Sequence, residues 1–226
     1  MVDSCKIDDQ RQGCCSSSRP ESVLDIASHW DKAYEHCEEE KLGWFETDLS
    51  PSLELFEMTG ISKEAKILNV GAGNSRLIDA IVELGFTNVM ATDISKSALD
   101  QLQDRLGERV SYIHDDLTSS SSLINNSQVD FWIDRAVLHF FTGKDEQDAY
   151  LNLLNKLVKS GGYVMLAEFA EDAVDKCSGL AVHRYSIDMM KDYLGSSYKL
   201  VANLRYDYTM PTGDHRPYNY GLFRRK

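Results

Sequence analysis

The chain has 226 residues and a formal net charge of −12, with 42% hydrophobic and 27% charged residues. A chain of this length can bury roughly 70% of its unfolded surface in one domain. The acidic balance argues against nucleic acid as the main partner, because phosphate binding needs basic surface. No apolar stretch approaches the roughly 20 residues that span a bilayer, and the polar start shows no signal peptide. We therefore expect a cytoplasmic protein, a monomer by default, with neither a membrane nor a nucleic acid as partner.

The first part of the chain differs in composition from the rest. Residues 1–20 lack apolar periodicity and are expected to form a disordered leader. The cysteines match neither a paired disulfide framework nor a zinc-site spacing, so we expect reduced thiols and no metal. An alternative is a soft-metal or metalloid site made of the vicinal Cys14 and Cys15, with Cys177 as a third ligand.

Two helices are predicted before the first strand. Apolar residues recur at helical spacing from Val23 to Cys37, and a second helix is predicted from Ser50 to Gly60, with Pro51 in its first turn. We expect residues 21–60 to form an N-terminal helical cover on a single domain that spans residues 21–226.

From residue 67 onward, short apolar runs alternate with helical patterns. The predicted strands are Ile67–Val70, Val89–Thr92, Val110–Ile113, Val129–Ile133 and Tyr163–Phe169. Helices are predicted at Ser75–Leu84, after the capping residue Ser95, and at Asp145–Val158. This alternation requires a parallel sheet with helices on both faces. The runs Tyr198–Tyr208 and Tyr218–Arg224 have no long helix between them, so they predict a hairpin and an antiparallel ending.

A glycine turn is the most informative motif. The segment from Lys66 to Ser75 reads KILNVGAGNS, and Asp93 ends the next apolar run. Glycines between a strand and a helix let backbone approach a ligand closely, and the later acid can accept hydrogen bonds from both ribose hydroxyls. The pattern predicts an adenosine-type cofactor site. A dinucleotide oxidoreductase is the rival interpretation, but Arg76 stands where its fingerprint needs a third small residue.

Together these motifs resemble the class I S-adenosylmethionine-dependent methyltransferases. The resemblance rests on the glycine turn, on Asp93, on the segment HDDLT from His114 to Thr118, and on the antiparallel ending. It implies an α/β fold with a Rossmann-like seven-stranded mixed sheet, mostly parallel with an antiparallel C-terminal strand and helices on both faces. It also implies S-adenosyl-L-methionine as the cofactor.

The resemblance assigns cofactor contacts to particular residues. The turn around the methionine part would consist of Asn69, Gly71, Ala72 and Gly73, with Asp93 on the ribose, Asp116 (or second, Asp115) on the adenine amino group, and Ile94 and Leu117 beside the ring. The class usually has an acid where Asn69 stands, so weaker cofactor affinity is one expectation and a simple turn cap is the other. Trp44 is expected either as part of a lid over the cofactor or as a core residue.

The acceptor side is expected where the fourth strand ends. Groups just past the carboxyl ends of strands line the ligand crevice, which predicts Asp134, Arg135 and His139 as catalytic candidates near the transferred methyl, with Asp134 also near the cofactor. Imidazole titrates near neutrality, so His139 is a candidate base or acceptor-orienting group. The alternative is a partly buried histidine satisfied by backbone.

The acceptor itself is left open. The segments WDKAY from Trp30 to Tyr34 and GWF from Gly43 to Phe45 resemble the protein-lysine methyltransferase-like group. His139 replaces the last acid of a segment that is common in that group, which puts a lysine acceptor in doubt. We expect a small metabolite or xenobiotic first, because the sequence shows no separate substrate-recognition domain and the cover segment is compact. A protein lysine comes second, and the acidic surface makes nucleic acid third. A non-catalytic cofactor-binding or metalloid-binding protein is the alternative from a different class.

Overall fold

The computed structural model describes residues 25–226. The expected leader at 1–20, with Cys14 and Cys15, lies outside the described residues. Within the described part, seven strands form one sheet in the order β3-β2-β1-β4-β5-β9-β8. Their bounds are β1 Ile67–Val70, β2 Val89–Asp93, β3 Val110–His114, β4 Val129–Arg135, β5 Val158–Phe169, β8 Tyr198–Thr209 and β9 His215–Arg225. A separate two-stranded hairpin is formed by β6 Lys176–Cys177 and β7 Leu180–Ala181.

The sheet has the predicted mixed topology. Strands β1 to β5 pair in parallel, whereas β9 lies between β5 and β8 and runs antiparallel to both. The predicted α/β fold with a Rossmann-like seven-stranded mixed sheet is therefore confirmed. The carboxyl ends of β1 to β4 meet at one edge, which is where an open α/β sheet binds its ligands.

Six α-helices accompany the sheet in residues 25–226. They are α1 Ile26–His36, α2 Ser50–Glu57, α3 Arg76–Glu83, α4 Lys96–Leu106, α5 Lys144–Leu157 and α6 Ile187–Leu194. Serine caps set two of the starts: Ser75 Oγ accepts from the Leu77 amide at 3.2 Å, and Ser95 Oγ accepts from the Ala98 amide at 3.1 Å. Helix α6 and the β6–β7 hairpin were not predicted.

The core has two layers, one on each face of the sheet. Successive residues of a strand point to opposite faces, and β4 follows this rule. Phe131 and Ile133 pack with Ile67 and Met165 on one face. Trp132 packs with Tyr150 and other residues of the second cluster on the other face.

Helix α1 is tied to the start of α4. Asp31 Oδ1 accepts hydrogen bonds from Ser95 Oγ at 2.7 Å and from the Ser97 amide at 3.0 Å. Gln101 Nε2 donates to the Tyr34 carbonyl at 2.8 Å. Helix α2 instead packs against β8 and β9. Only the first part of the segment expected as a cover therefore lies beside the helices that flank the cofactor turn.

Three further observations bear on the sequence expectations. Among the helices of residues 25–226, none is long and apolar enough to cross a bilayer. No group of three or more His, Cys, Asp or Glu side chains in that range is arranged to hold a metal ion. Cys177, the cysteine of the β6–β7 hairpin, is a free thiol.

Candidate active site

A cleft opens at the carboxyl ends of β1 to β4, with a volume of about 1230 Å³ that includes its open mouth. Apart from Asp134 and His139, every residue predicted for the site lines this cleft. Those residues are Asn69, Gly71, Ala72, Gly73, Asp93, Ile94, Asp115, Asp116, Leu117, Arg135 and Trp44. Large, mostly apolar clefts with a few polar groups are typical ligand sites.

The glycine turn forms the floor of the cleft. Gly71 and Gly73 have φ angles of 51° and 52°, in the left-handed region that favours glycine. A Cβ at position 71 would lie 2.1 Å from Val137 Cγ2, and one at position 73 would lie 2.3 Å from the Tyr34 hydroxyl. Both glycines are therefore required by backbone conformation and by close packing, independently of any ligand.

Asp93 joins this turn to the start of α4. Its Oδ2 accepts from the Gly73 amide at 2.7 Å, and its Oδ1 accepts from the Ser95 amide at 2.7 Å. Burial raises the pKa of Asp93 to about 6, although the backbone hydrogen bonds act in the opposite direction. The carboxyl group thus lies in the cleft wall with a pKa close to neutrality.

Two acidic residues follow β3, and their surroundings differ. Asp115 accepts hydrogen bonds from the serine-rich loop, including the Leu123 amide at 2.7 Å and the Ser120 hydroxyl at 2.7 Å. Burial opposes ionisation, but these hydrogen bonds prevail and hold the pKa of Asp115 below its usual value. Asp116 accepts from the Thr118 amide and hydroxyl at 2.8 and 2.7 Å. Ser119 Oγ also donates to Asp116 Oδ2 at 3.1 Å, so both acids cap the loop, but Asp115 accepts more hydrogen bonds from it than Asp116 does, which favours Asp116 for a ligand contact.

Aromatic side chains from the N-terminal segment lie over the turn. The indole of Trp44 donates to the Tyr34 hydroxyl at 3.1 Å. The Trp30 ring lies edge-on to Trp44 and to Phe140, with centroid distances of 5.4 and 5.1 Å. All four side chains line the cleft. Edge-to-face packing of this kind gives a firm apolar wall.

Arg135 forms a largely buried ion pair that also lines the cleft. Its Nε lies 2.7 Å from Glu46 Oε1, and the two side chains are 11% and 7% exposed. The guanidinium lies 5.1 and 4.9 Å from the ring centres of Tyr208 and Tyr218. Burial raises the pKa of Glu46 against the effect of Arg135, and Glu46 raises the pKa of Arg135 against the effect of burial. Glu46 was not predicted as a site residue.

Asp134 lies on the other face of β4 and does not line the cleft. Its carboxyl group accepts from the Tyr150 hydroxyl at 2.5 Å and from the amides of Val137 and Leu138 at 3.1 and 3.2 Å. Burial and then the neighbouring Glu168 raise the pKa of Asp134 well above its usual value. The group therefore fixes the turn that follows β4 from beneath.

His139 is also fully buried and is not part of the cleft lining. Its ring packs against Phe140 and Phe169, with centroid distances of 4.4 and 4.7 Å. Its Nδ1 lies 3.2 Å from Glu168 Oε2, and that oxygen also accepts from the His139 amide at 3.2 Å. The ring nitrogens have no well-aligned hydrogen-bond partner among the described residues.

Other lining residues were missed as site residues or placed only loosely. Val137, Phe140 and Phe141 lie on the turn after β4, and Cys177 lies on the β6–β7 hairpin. The sequence signal for the first three is their position just past a strand end. The sequence gives no comparable signal for Glu46, whose partner is far away along the chain.

Comparisons with known proteins agree with this geometry. Residues 68–166 match a family model described as a methyltransferase domain. A crystal structure of a methyltransferase from Anabaena variabilis superposes with a TM-score of 0.71 at 12% identity, covering 90% of this chain and 96% of that one. The crystal structure of the 1,6-didemethyltoxoflavin N1-methyltransferase of Burkholderia thailandensis superposes with a TM-score of 0.63 at 20% identity, covering 78% of this chain and 77% of that one.

A curated protein is also similar in sequence over part of its length. The eEF1A lysine and N-terminal methyltransferase of Mus musculus is 26% identical over 144 residues, which is 62% of this chain and 20% of that protein. The chain thus spans about a fifth of the length of the curated relatives it matches.

The fold and the match of residues 68–166 to a methyltransferase domain make the chain similar to the class I S-adenosylmethionine-dependent methyltransferases. S-Adenosyl-L-methionine is the cofactor of this class. The dinucleotide oxidoreductase interpretation is accordingly set aside. Arg76 is used instead in a bidentate pair with Glu39, at 2.6 and 2.7 Å, which fastens the N-terminal segment to α3.

The close packing at the glycine turn can be tested by substitution. We expect Gly71→Ala to lower the free energy of unfolding by about 2–4 kcal/mol, because the new methyl adds a steric conflict with Val137 to the backbone strain. Gly60→Ala is the matched control, since Gly60 also has a positive φ (58°) but open space around it. It should cost about 1 kcal/mol. Equal costs in urea unfolding would show that Val137 contributes nothing.

The buried carboxyl group of Glu168 makes stability depend on pH. Burial raises its pKa in the folded protein, so the folded state holds the proton more tightly than the unfolded state. The free energy of unfolding should therefore fall as pH rises from about 5 towards 8. Glu168→Gln should flatten part of this fall, whereas the exposed control Glu83→Gln should leave it unchanged. Urea titrations at several pH values measure the free energy of unfolding. The same dependence on pH in the parent and in both variants would contradict the prediction.

Proposed function

We propose that this chain transfers a methyl group from S-adenosyl-L-methionine to a small-molecule acceptor bound in the same cleft. One observation supports the proposal: the glycine turn and Arg135, one of the three acceptor-side candidates, line the same cleft, which is roofed by Trp30, Trp44 and Phe45. A roof made by the chain's own N-terminal segment leaves room for a compact acceptor more readily than for a folded protein surface.

The residues of the cleft suit the cofactor in chemical type. Gly71 and Gly73 line the floor of the cleft without side chains. Asp93 would accept from the ribose hydroxyls, and Asp116 from the adenine amino group, since Asp116 accepts fewer hydrogen bonds from the loop than Asp115 does. Ile94 and Leu117 would flank the adenine ring. Asn69 supplies a neutral side chain where the class usually has an acid, so cofactor affinity should be moderate.

The chain's residues act mainly by placement. When bound, the cofactor's sulfonium supplies the methyl group: an acceptor lone pair forms the new bond, and the carbon–sulfur electron pair stays on sulfur. Holding the two reactants in line can supply a large part of the acceleration. Trp30, Trp44 and Phe140 would exclude water and orient a flat acceptor, and Arg135 would face its polar group.

The test begins with binding and ends with the acceptor. Calorimetry should give an S-adenosyl-L-methionine complex and none with NAD or arsenite, which separates the enzyme from the oxidoreductase and metalloid alternatives. A labelled-methyl screen of cell extract, split into metabolites and proteins, should then label the small-molecule fraction. No cofactor binding would end the proposal, and label confined to proteins would replace its acceptor.

Protein lysine is the second candidate acceptor. It is favoured by the WDKAY and GWF segments and by the name of the curated relatives, which are called lysine and N-terminal methyltransferases. Against it, Glu46, the carboxylate that lines the cleft beside Arg135, is already paired with that residue.

The ionisation of Asp93 should control cofactor affinity. A carboxylate accepts ribose hydroxyls better than a protonated carboxyl group, so binding of S-adenosylhomocysteine should weaken as pH falls below about 6. Asp93→Asn should bind about tenfold more weakly and show no such dependence. Asp100→Asn, an exposed acid on α4, is the control. Calorimetry from pH 5 to 8 measures this, and a parent that is flat over that range would remove Asp93 from the site.

A role of His139 as base stays a prediction, and its burial favours a positioning role through Phe140. On the positioning view, His139→Ala should raise the acceptor KM because the cleft wall loosens, and His139→Phe should restore it by refilling the space. On the base view, both variants should lose about 100-fold or more in kcat while still binding cofactor. Steady-state kinetics with the acceptor from the screen distinguish the two.

A further inference from the structure

The cleft has two chemically different ends. Sheet order places β3 at one side and β4 at the other, with β2 and β1 between them. Asp116 and Leu117 follow β3 and line one end, whereas Arg135 ends β4 and lies beside β5. If the adenosine part of the cofactor takes the β3 end, Arg135 marks the end that remains for the acceptor.

Arg135 keeps donor capacity at this end. Its Nε contacts Glu46, and its Nη1 donates to the Trp44 carbonyl at 3.3 Å. Its Nη2 is buried and has no hydrogen-bond partner among the described residues. A buried donor on a charged group is costly to leave unpaired, and such a group in a cleft points to a ligand atom.

The pair of Arg135 and Glu46 carries no net charge. In a largely buried cleft, a carboxylate on the acceptor would be repelled by Glu46, and an ammonium would be repelled by Arg135. A neutral polar group avoids both costs. An edge with one acceptor atom and one donor matches the pair, because the guanidinium donates and the carboxylate accepts.

The walls around this pair are aromatic. The backbone of Trp44 holds Arg135, and its ring packs edge-on against Trp30, which packs in turn against Phe140. Such a wall accommodates a flat ring by stacking and edge contacts. These contacts do not require the hydrogen bonds that a flexible polar ligand would need.

We propose that the methyl acceptor is an uncharged, flat aromatic or heteroaromatic molecule whose polar edge hydrogen-bonds Arg135 and Glu46. This inference rests on the proposed function and names its substrate class. A ring nitrogen or oxygen bonds to the methyl carbon, the carbon–sulfur bond breaks with its electrons on sulfur, and the proton that the nucleophile carried passes to solvent.

The test uses two probes that differ in one charge. 4-Hydroxyquinoline is neutral, and 4-hydroxyquinoline-2-carboxylate is anionic. The parent, loaded with S-adenosylhomocysteine, should bind the neutral ring about tenfold more tightly. Glu46→Gln leaves Arg135 unbalanced, so the ratio of the two dissociation constants should shift by about tenfold or more towards the carboxylate. Tryptophan fluorescence or calorimetry measures both constants.

A mirror variant and a control complete the design. Arg135→Gln leaves Glu46 unbalanced, so the ratio of dissociation constants should shift the other way, towards protonated 4-aminoquinoline. This variant replaces Glu46→Gln in the test if Glu46→Gln fails to fold. The exposed Glu40→Gln should leave the parent ratio unchanged. Failure of the parent to bind S-adenosylhomocysteine contradicts the proposed function. Cofactor binding with unaltered ratios in both charge variants, or with no binding of the neutral ring, contradicts this inference alone.

Discussion

The site depends on two left-handed residues at the end of β1. Gly71 and Gly73 turn the chain sharply, and the space that their missing side chains leave is filled by Val137 from one side and by the Tyr34 hydroxyl from the other. One short turn thus fixes the relative positions of the β4 ending and of the N-terminal helix. Any adenosyl ligand would meet an already formed floor, so little ordering would remain to oppose binding.

A second constraint lies beneath the cleft, on the opposite face of the sheet. The Asp134 carboxyl group accepts hydrogen bonds from the two backbone amides of the turn after β4, and Glu168 accepts one from the next amide, that of His139. Burial raises the pKa of both carboxyl groups, because a buried pair of like charges is unfavourable, and their hydrogen bonds to the amides hold the turn that carries Phe140. The wall of the cleft is therefore positioned by polar groups that no acceptor in the cleft touches directly.

Local signals allowed much of the fold to be predicted. Ser75 and Ser95 mark helix starts because a capping side chain acts over two or three residues. The sheet followed from apolar runs and the hairpin from its turn. Helix α6 was missed because Ile187–Leu194 is short and follows irregular structure closely, with no long apolar repeat to mark it.

The site was predictable where a single strand end determines it, and less so elsewhere. The two-residue period of a strand places Arg135 with Ile133 and Asp134 with Trp132, so neighbours that were expected together face opposite sides of the sheet. The two-residue period therefore assigns Asp134 and Arg135 to opposite faces of the sheet from the sequence alone. Glu46 could not be found in this way, because its pairing with Arg135 depends on tertiary packing.

The hydrogen bond from Tyr220 to Glu46 joins residues 174 positions apart. The half of the cleft formed by β1 to β3 is built from contiguous chain, whereas the opposite half needs an early segment and the last strand to meet. Changes in those distant segments would therefore alter the Arg135 end of the cleft and leave strands β1 to β3 intact. Chains that share this architecture can therefore differ in their acceptor while they keep the same binding site for the methyl donor.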